Sequence, residues 1–424
     1  MSAASEQSHL TVWLNSRHVA DLYVGRRDQL SLSYADEAAS TYGLGGLCLS
    51  VSLPVQRARY EHERVFPWVE GLLPEGETRT VLEQEFNIRR GDTFGLLAKI
   101  GRDCAGAVSF YESGQMPSES SPASGRLSGA ELDEAIAQLP ARPLGVDGEV
   151  RVSLGGLQAK LLLVQMPGGG WARPAQGSPS THILKPEPAD YPGLAAAEVF
   201  TLHAASACSI EAAEAVLGQI AGKPVVIVRR FDRIVDDSGR ITRVHQEDAS
   251  QALSLDASDT RSKYQYTELG PPTLAQIADV IRIHGRPVER GLVRLLQMVV
   301  FNIAIGNTDA HARNYSFIFR GGGVVPAPLY DSAPTCEFES TRTVALWVDG
   351  QAMLSAITLD HLVLEGLRWS IPERVTRRVI NDVVDALPEA LDRAAGEVPE
   401  VSPKIVENAM SRVRALRSRP RLAR

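Results

Sequence analysis

Residues 288–305 constrain the fold most, because they are apolar on nearly every face that a helix would present. Such a helix has to be buried, since a helix at the protein surface keeps one polar face. The sequence GNTDAHARN, residues 306–314, follows it directly. The pattern therefore predicts a buried helix that delivers several polar side chains to one loop.

The length and composition of the chain are those of an ordinary globular protein. Its 424 residues predict two or three domains, at roughly 150 residues per domain. Apolar residues make up 44% of the chain and charged residues 22%, which excludes a disordered, collagen-like or disulfide-stapled protein. The net charge is −7, so the chain as a whole is not a general polyanion binder, and any contact with nucleic acid has to be a local patch.

The cysteines and the N-terminus bear on the cellular compartment. The four cysteines are far apart and form no CxxC or Cys/His pair, so they predict neither a disulfide framework nor a structural zinc site: Cys48, Cys104, Cys208 and Cys336. We expect reduced, buried thiols. There is no basic segment followed by an apolar one at the N-terminus, and no window approaches about 18 uninterrupted apolar residues, so a cytoplasmic protein is expected.

Changes in composition predict four regions along the chain. We expect an N-terminal, sheet-containing subdomain over residues 1–112 and a Ser-, Pro- and Gly-rich linker over 113–129. A region of mixed strands and helices follows over 130–272, and a mainly helical lobe that contains the GNTDAHARN loop completes the chain over 273–424.

Local patterns predict the individual elements. Strands are expected in HLTVWLNSRHVADLYV (9–24), LCLSVSL (47–53), AVSFY (107–111), VRVSLGGLQAKLLLVQM (150–166, two strands around a glycine turn), THILKPE (181–187) and PVVIVRRFD (224–232). Helices are expected in SGAELDEAIAQL (128–139), where Ser128 is the cap, and in AAAEVFTLHAASA (195–207). PGGGWARPAQGSPS (167–180) is expected to be a mobile hairpin tip.

The loop after the buried helix has the spacing of a phosphoryl-transfer site. Asp309 and Asn314 are five positions apart, as in the catalytic loop D-x-x-x-x-N of protein kinases, where the Asp orients the substrate hydroxyl and the Asn binds magnesium. A second acidic ligand is expected a little downstream, and Asp331 in APLYDSAP lies 22 residues after Asp309, although the Phe-Gly of ordinary protein kinases does not follow it. Carboxylate and amide oxygens suit magnesium. The alternative is that Asp309 and Asn314 only turn the chain after a helix.

Lysine is rare in this sequence, with six residues in all, so each lysine is informative: Lys99, Lys160, Lys185, Lys223, Lys263 and Lys404. Lys185 lies in the predicted strand THILKPE and Glu198 in the helical run that follows. This order matches the strand lysine and helix glutamate that form an ion pair in kinases. The alternative for Lys185 is a surface lysine beside a proline.

Two further segments are candidates for nucleotide contacts. SLGGLQAK, residues 153–160, is a glycine turn that could bring backbone amides and Lys160 to phosphates, although Gly-Gly between strands is ordinarily a hairpin turn. VIVRRFDR, residues 226–233, would be a strand whose backbone contacts adenine, and the alternative is an ordinary buried strand with a charged end.

Taken in order, these motifs resemble the HipA family, the serine/threonine-kinase toxins of type II toxin–antitoxin modules. The resemblance covers nearly the whole chain and is carried by LLAKIGRDCAGAV, SLGGLQAK, THILKPE, RRFDR, HQED (245–248), IGNTDAHARN and APLYD. It implies an α+β, bilobal, protein-kinase-like fold with an N-terminal mixed-sheet subdomain and a mainly helical C-terminal lobe, in which residues 130–272 are the ATP-binding part of the kinase core. It also implies ATP and Mg²⁺ as cofactors, a HipB-like helix-turn-helix antitoxin as partner and operator DNA bound through that complex.

The resemblance also implies roles for single residues. Asp309 would be the catalytic base, Asn314 and Asp331 the metal ligands, and Lys185 the phosphate lysine. The nucleotide would contact Ser153, Leu154, Gly155, Gly156, Lys160, Lys185, Arg229, Phe231 and His311. Ser153 falls on the serine that family members autophosphorylate, an event that expels the phosphate loop and switches the kinase off, and an added phosphate carries about −1.5 to −2 charges. The known protein targets in the family are aminoacyl-tRNA synthetases.

Several interpretations stay open from the sequence. His311 either contacts phosphate, braces Asp309 or packs the loop. Residues 404–424 hold seven basic residues and one acidic residue, a net charge of +6, which suits either operator DNA or a solvated helix face. For the whole protein, the alternatives to a kinase toxin are a catalytically silent co-repressor bound to DNA with its antitoxin, and a small-molecule or lipid kinase of the same superfamily.

Overall fold

The computed structural model describes residues 8–117, 123–139, 153, 158–175 and 177–418. Backbone contacts divide the chain into two compact units. Unit 1 comprises Met1–Leu184 and Asp232–Thr260, and unit 2 comprises Lys185–Phe231 and Arg261–Arg424. Both units are therefore built from two separate stretches of sequence. The boundaries expected at residues 112, 129 and 272 stay predictions.

Helices and strands are distributed over both units. The helices are α1 Asp36–Tyr42, α2 His62–Gly71, α3 Gly76–Glu85, α4 Thr93–Ile100, α5 Gly129–Ala137, α6 Leu194–Ala207, α7 Ala249–Ala252, α8 Leu274–His284, α9 Val288–Ile305, α10 Leu359–Arg368, α11 Glu373–Glu397 and α12 Pro403–Ser418. The strands are β1 His9–Leu14, β2 Arg17–Val24, β3 Leu30–Tyr34, β4 Val108–Glu112, β5 Ala123–Arg126, β6 Leu161–Gln165, β7 Trp171–Pro174, β8 His182–Pro186, β9 Ala215–Ile220, β10 Lys223–Arg229, β11 Arg233–Val235, β12 Ile241–Arg243, β13 Gln246–Asp248, β14 Ser316–Arg320, β15 Gly323–Pro326, β16 Thr343–Val348 and β17 Gln351–Met353.

The first sheet of unit 1 has the strand order β3-β2-β1-β4, and its pairs are antiparallel. Side chains along β1 alternate between half-buried and fully buried, as expected for a strand with one face on the core. Trp68 of α2 and Phe110 of β4 pack in that core with ring centroids 6.1 Å apart. The strands predicted in 9–24 and 107–111 are present, whereas the one predicted over LCLSVSL is wrong, because these residues form turns closed by a single Ser50–Leu53 bridge.

Strands β5, β7 and β6 and the first three residues of β8 lie side by side in that order in a second part of unit 1. The pairs β5–β7, β6–β7 and β6–β8 are antiparallel. One expectation is corrected here: the segment expected to be a mobile hairpin tip contains strand β7, whose backbone pairs with both neighbours. Strand β5 lies within the segment expected to be a linker, and the linker itself stays a prediction. Helix α5 begins as predicted at a Ser128 capping box that Glu131 completes.

Helices dominate unit 2. Helix α11 packs against α6, α9, α10 and α12, and α9 also packs against α8 and α12. The predicted buried helix is present as α9, and the predicted helix over 195–207 is present as α6. The hairpin of β9 and β10 packs against α6. Unit 2 also contains the hairpins β14–β15 and β16–β17, which the sequence analysis did not predict.

Two general expectations can be compared with the described residues. All four cysteines are buried and none forms a disulfide, as expected. Among the helices that the structure describes, none combines the length and the apolar character that crossing a bilayer requires.

Candidate functional site

The loop that carries the predicted catalytic residues begins where α9 ends. Gly306 ends the helix in the left-handed region, with φ of 84°. A Cβ at this position would lie 2.6 Å from the Cys336 sulfur and 2.8 Å from Nε of Arg412, so a side chain has no room here. Glycine meets both the backbone and the steric requirement, and it lets the chain turn sharply out of the core into the loop.

Buried polar side chains fix the path of this loop. In the last turn of α9, Oδ1 of Asn302 accepts hydrogen bonds from Nδ2 of Asn307 at 3.0 Å and from the Ser332 hydroxyl at 2.8 Å. Oδ1 of Asn307 in turn accepts a bond from the backbone N–H of Asp309 at 3.1 Å. The bonds join the loop to the residue after Asp331, so the two segments that carry the predicted acidic residues are held in one arrangement.

A second set of bonds holds the loop from its other side. The Thr308 N–H donates to the Thr335 hydroxyl at 2.8 Å, and the Thr308 carbonyl accepts from the Ala345 N–H of β16 at 3.0 Å. A buried polar network whose members are paired restricts the backbone to one conformation. The loop is therefore rigid at the residue that precedes Asp309.

The carboxylate of Asp309 accepts a hydrogen bond from a tyrosine. The phenol of Tyr264 donates to Oδ1 of Asp309 at 2.8 Å. Burial raises the pKa of Asp309 to about 6, the Tyr264 hydrogen bond and the positive charge of Lys263 act to lower it, and the negative charges of Asp331 and Glu339 act to raise it. The result is a carboxylate whose pKa lies close to neutral pH, which is what a general base requires.

Asn314 and Asp331 are brought together, as the sequence analysis requires. Nδ2 of Asn314 donates to Oδ2 of Asp331 at 3.2 Å, and Oδ1 of Asn314 accepts from the His311 N–H at 3.1 Å. Asp331 has a φ of 51°, in the left-handed region that a non-glycine residue adopts at a cost. The surrounding bonds hold it there, and its half-exposed side chain remains accessible to a ligand.

Lys185 is bound by two carboxylates. Its Nζ lies 2.9 Å from Oε1 of Glu198 and 2.6 Å from Oδ1 of Asp331. Burial alone would lower the pKa of Lys185, but the two carboxylates outweigh it and hold the pKa above its usual value. The pairing with Glu198 that the sequence suggested is present, and the surface-lysine alternative does not apply because Lys185 is buried.

His311 is buried under the same loop. Its ring stands edge-on to the Tyr264 ring, with centroids 5.2 Å apart, and its backbone N–H donates to the Asp309 carbonyl at 2.7 Å. Burial, together with the positive charge of Lys263, lowers the pKa of His311 to about 3, so the ring is neutral at physiological pH. The packing and bracing interpretations of His311 both agree with these contacts.

The remaining candidates in unit 2 lie at the end of β10. Phe231 packs against Tyr330, the residue before Asp331, with ring centroids 5.5 Å apart. Arg229 is half-exposed, forms an ion pair with Glu214 at 3.1 Å, and donates its backbone N–H to the Glu214 carbonyl. The side chain of Arg229 is thus paired with Glu214, the residue before β9.

The candidates Ser153 and Lys160 belong to unit 1, and both are buried. The hydroxyl of Ser153 donates to the Leu72 carbonyl at 2.6 Å, and its N–H donates to the Asp103 carbonyl at 2.9 Å. Leu154, Gly155 and Gly156 lie outside the described residues, so the glycine turn stays a prediction.

The residues that support the loop could not be recognised from the sequence. Tyr264, Asn302, Asn307 and Thr335 were not singled out, and Lys263 was noticed only as one of six lysines. The rarity of lysine was the one signal that could have led to the segment 261–265. The asparagines and threonines carry no spacing that distinguishes them from ordinary turn residues.

The donor set suits a magnesium ion. Asp331 supplies carboxylate oxygens, and Asn314 has an amide oxygen, but here that oxygen accepts from the His311 N–H while Nδ2 faces Asp331, so binding a metal through it requires the amide to turn over. Carboxylate and amide oxygens are hard ligands of the kind that Mg²⁺ takes in small number while it keeps waters and phosphate oxygens. Within the described ranges there is no cluster of three or more His, Cys, Asp or Glu side chains suited to holding a metal ion by themselves.

Comparison with known proteins identifies the family. Residues 10–111 match the HipA N-terminal domain and residues 152–391 match the HipA-like C-terminal domain. A protein of Sinorhizobium fredii called "Putative kinase Y4mE" is 31% identical over 401 residues, which are 92% of this chain and 93% of the relative. The "Serine/threonine-protein kinase toxin HipA" of Shewanella oneidensis is 26% identical over 390 residues, 88% of this chain and 87% of the relative.

A solved structure shares the fold. HipA of Shewanella oneidensis MR-1, in a complex with HipB and its operator DNA, superposes with a TM-score of 0.81 over 96% of this chain and 97% of that chain, at 23% identity. The fold is therefore the α+β fold of HipA, as predicted. The chain belongs to the HipA family, and the resemblance read from its motifs is confirmed.

Proposed function

We propose that the protein is the toxin of a type II toxin–antitoxin module and acts as an ATP- and Mg²⁺-dependent serine/threonine protein kinase. One observation carries the proposal most directly. The carboxylate of Asp331 is bonded through one oxygen to the ammonium of Lys185 and through the other to the amide of Asn314. A lysine, an acid and an asparagine that converge on one point are the groups that phosphoryl transfer requires.

Each side chain has a separate part in the proposed reaction. Asn314 and Asp331 would hold Mg²⁺, which when bound neutralises negative charge on the phosphates. Lys185 would place its fixed positive charge against the nucleotide phosphates, and Glu198 keeps the ammonium in position. Asp309 would orient the substrate hydroxyl and accept its proton, for which a pKa of about 6 leaves the carboxylate ionised at neutral pH.

The nucleotide contacts are proposed from the family resemblance. Lys160 and the backbone of Ser153, Leu154, Gly155 and Gly156 would contact phosphates, and the backbone at Arg229 and Phe231 would contact adenine. The packing of Phe231 against Tyr330 supports this placement for the end of β10, because Tyr330 immediately precedes the metal ligand Asp331. His311 would lie beside the phosphates as a neutral ring.

Self-inactivation through Ser153 is part of the proposal. The Ser153 side chain is fully buried and its hydroxyl is bonded to the Leu72 carbonyl. A phosphate with about −1.5 to −2 charges cannot stay in such a place without partners, because burying an unpaired charge is very costly. Phosphorylation of Ser153 would therefore prevent the segment from returning to these contacts, and this is how the kinase would be switched off.

The proposed partners follow from the relatives. A HipB-like helix-turn-helix antitoxin would neutralise the toxin, and the complex would bind operator DNA, as the composition of the related Shewanella complex suggests. An aminoacyl-tRNA synthetase is proposed as the protein substrate on family resemblance. The protein would act in the cytoplasm.

The first test is phosphoryl transfer from labelled ATP. Purified wild type with Mg²⁺ is expected to incorporate label, and Asp309→Asn is expected to lose the activity by roughly 1,000-fold, because the base is removed while the shape is kept. Asp279→Asn, at an exposed position on α8, is the matched control and should behave as wild type. Equal labelling of the wild type and Asp309→Asn would refute the proposed function.

A further inference from the structure

The segment 261–265 contributes two side chains that no part of the proposed mechanism has yet used. Tyr264 donates its hydroxyl hydrogen to Oδ1 of Asp309 at 2.8 Å. Oδ2 of Asp309 accepts no hydrogen bond from any of the residues that the structure describes. One oxygen of the proposed base is thus fixed by the protein, and the other is left for a ligand.

The phenol of Tyr264 is held in place by its surroundings. The Lys263 carbonyl accepts a hydrogen bond from the Ala312 N–H at 3.1 Å, so the segment is tied to the catalytic loop on one side of Tyr264. On the other side, the Gln265 N–H donates to the Ala345 carbonyl at 2.9 Å and the Gln265 side chain accepts from the Trp347 N–H at 2.8 Å. The Tyr264 ring also packs edge-on against His311. Its hydroxyl therefore has little freedom to leave Asp309.

The ammonium of Lys263 lies over the ring of Tyr264. Lys263 is buried, and its Nζ is 5.7 Å from the centroid of the Tyr264 ring. A buried positive charge at that place acts on Asp309 and on His311.

We propose that Tyr264 is a positioning residue for phosphoryl transfer and that Lys263 supports it. The phenol holds the Asp309 carboxylate through Oδ1, so that Oδ2 is presented to the hydroxyl of the protein substrate. Lys263 supplies positive charge that favours the ionised form of this carboxylate. The inference rests on the proposed kinase function. It adds to that function the residues that orient the Asp309 carboxylate and favour its ionised form.

The balance of the step defines what Tyr264 does and does not do. The substrate O–H bond breaks and its proton goes to Oδ2 of Asp309, while the substrate oxygen forms a bond to the γ-phosphorus of ATP. The bond between that phosphorus and the β,γ-bridging oxygen breaks, and ADP leaves with the electron pair. Tyr264 keeps its own proton throughout, because it acts only as a hydrogen-bond donor to the other carboxylate oxygen.

The charges around Asp309 determine the sign of the expected pH effect. Lys263 faces it from the segment 261–265, Asp331 from the loop after β15, Glu339 from the turn before β16, and the neutral ring of His311 from its own loop. The two carboxylates disfavour its ionisation, and Tyr264 and Lys263 favour it. Removal of either should move the acid limb of the activity profile to higher pH.

The test is kcat and KM for the protein substrate and ATP as functions of pH in a set of variants. Tyr264→Phe keeps the ring but removes the hydroxyl, and we expect a roughly tenfold fall in kcat near pH 7 and an acid limb about one pH unit higher, with KM for ATP unchanged. Tyr266 lies two residues after Tyr264, and its side chain is exposed. Tyr266→Phe removes a hydroxyl there and should match the wild type. Lys263→Met should shift the limb in the same direction, and Lys263→Arg should restore it.

A direct titration makes the result independent of turnover. Carbon NMR of the full chain labelled at aspartate follows the Asp309 carboxyl resonance, which is assigned by its loss in Asp309→Asn. The pH at the midpoint of its titration should be higher in Tyr264→Phe than in Tyr266→Phe.

The outcomes separate the two proposals. A wild type without Asp309-dependent transfer overturns the kinase function and, with it, the part given to Tyr264. An active wild type whose acid limb and Asp309 titration are the same in Tyr264→Phe and Tyr266→Phe overturns the positioning role and leaves the kinase function standing.

Discussion

At the scale of single residues, Lys185 supplies the positive charge that pairs with two carboxylates of the candidate site. It is buried between Glu198 and Asp331, and a buried cation is tolerated only where such partners are present. Replacement of the lysine leaves Glu198 buried without its counter-charge. Activity and stability should therefore both respond to this position, and they can be separated by a second substitution.

We expect Lys185→Met to lower phosphoryl transfer by roughly 100-fold and to lower the free energy of unfolding by about 3 kcal/mol. In Lys185→Met/Glu198→Gln the stability should largely return, because the buried carboxylate that lost its lysine partner is gone, while activity should stay low. Urea unfolding and label incorporation measure the two effects. Lys223→Met, at an exposed position at the start of β10, is the control, and an equal loss in that variant would contradict the explanation.

Glu247, in the HQED motif, is a second buried ionisable group, and it is not part of the candidate site. It accepts a hydrogen bond from the Val51 N–H at 2.8 Å, and burial raises its pKa to about 8 from an ordinary 4.5. Because the folded-state pKa is the higher one, the stability that Glu247 contributes is fully present below pH 4.5. That contribution is lost as the pH rises through about 8.

Glu247→Gln should remove this pH dependence, since the amide oxygen can still accept from Val51 but cannot ionise. The melting temperature of the variant relative to wild type should increase by a few degrees between pH 6 and pH 9. Glu77→Gln, at an exposed position in α3, should show no such trend. A constant difference between Glu247→Gln and wild type across this range would show that Glu247 is ionised in the folded protein.

At the scale of elements, the end of α9 determines where the catalytic loop begins. Gly306 combines a positive φ with contacts that a Cβ would make at 2.6 Å to Cys336 and 2.8 Å to Arg412. Gly322, in the turn between β14 and β15, has a similar φ of 73° but nothing within 4 Å of a Cβ. Replacing each of the two glycines by alanine therefore distinguishes the cost of a positive φ from the cost of a steric contact.

Gly322→Ala should lower the free energy of unfolding by about 1 kcal/mol, the usual cost of the left-handed conformation, and leave activity unchanged. Gly306→Ala should lower it by at least about 2 kcal/mol and also reduce phosphoryl transfer, because the loop has to shift to make room. Denaturant unfolding and the labelling assay measure these effects. Equal behaviour of the two variants would mean that the loop does not depend on the close approach at Gly306.

Elements with a strong local signal were predictable. Three signals act on residues close to them in the sequence: the apolar run of α9, the Ser128 cap of α5 and the alternation of burial along β1. LCLSVSL has the composition of a strand, but it has only a single backbone bridge to itself, and composition cannot show whether a pairing partner exists. Strands β14 to β17 were missed because short hairpins between helices give little periodic signal.

The candidate site was predictable to the extent that its residues have a fixed spacing. The interval between Asp309 and Asn314 belongs to one loop and can be read from the sequence. Tyr264 lies 45 residues before Asp309, and only the fold brings the phenol to the carboxylate. A single tyrosine in a loop has no pattern that marks it.

At the scale of the whole molecule, both units combine distant stretches of the chain. In unit 1, Asp103 accepts hydrogen bonds from Arg233 at 2.8 Å and from Arg243 at 3.4 Å, so residues 232–260 are joined to the N-terminal part by buried ion pairs. Changes in composition mark only points along the chain and cannot reveal such pairings. The order of the HipA motifs carried the prediction of the whole fold where local patterns could not.

The proposed base Asp309, the proposed metal ligands Asn314 and Asp331 and the phosphate lysine Lys185 belong to unit 2, whereas the proposed autophosphorylation site Ser153 belongs to unit 1. The most direct measurement is therefore the intact mass and phosphosite map of the purified chain after incubation with ATP and Mg²⁺. Wild type should gain one phosphoryl group, on Ser153, and Asp309→Asn, Asp331→Asn and Lys185→Met should gain none. A phosphoryl group on Ser153 in these variants at the wild-type level, or none in a wild type isolated without phosphate, would contradict the assignment of these residues to one phosphoryl-transfer site.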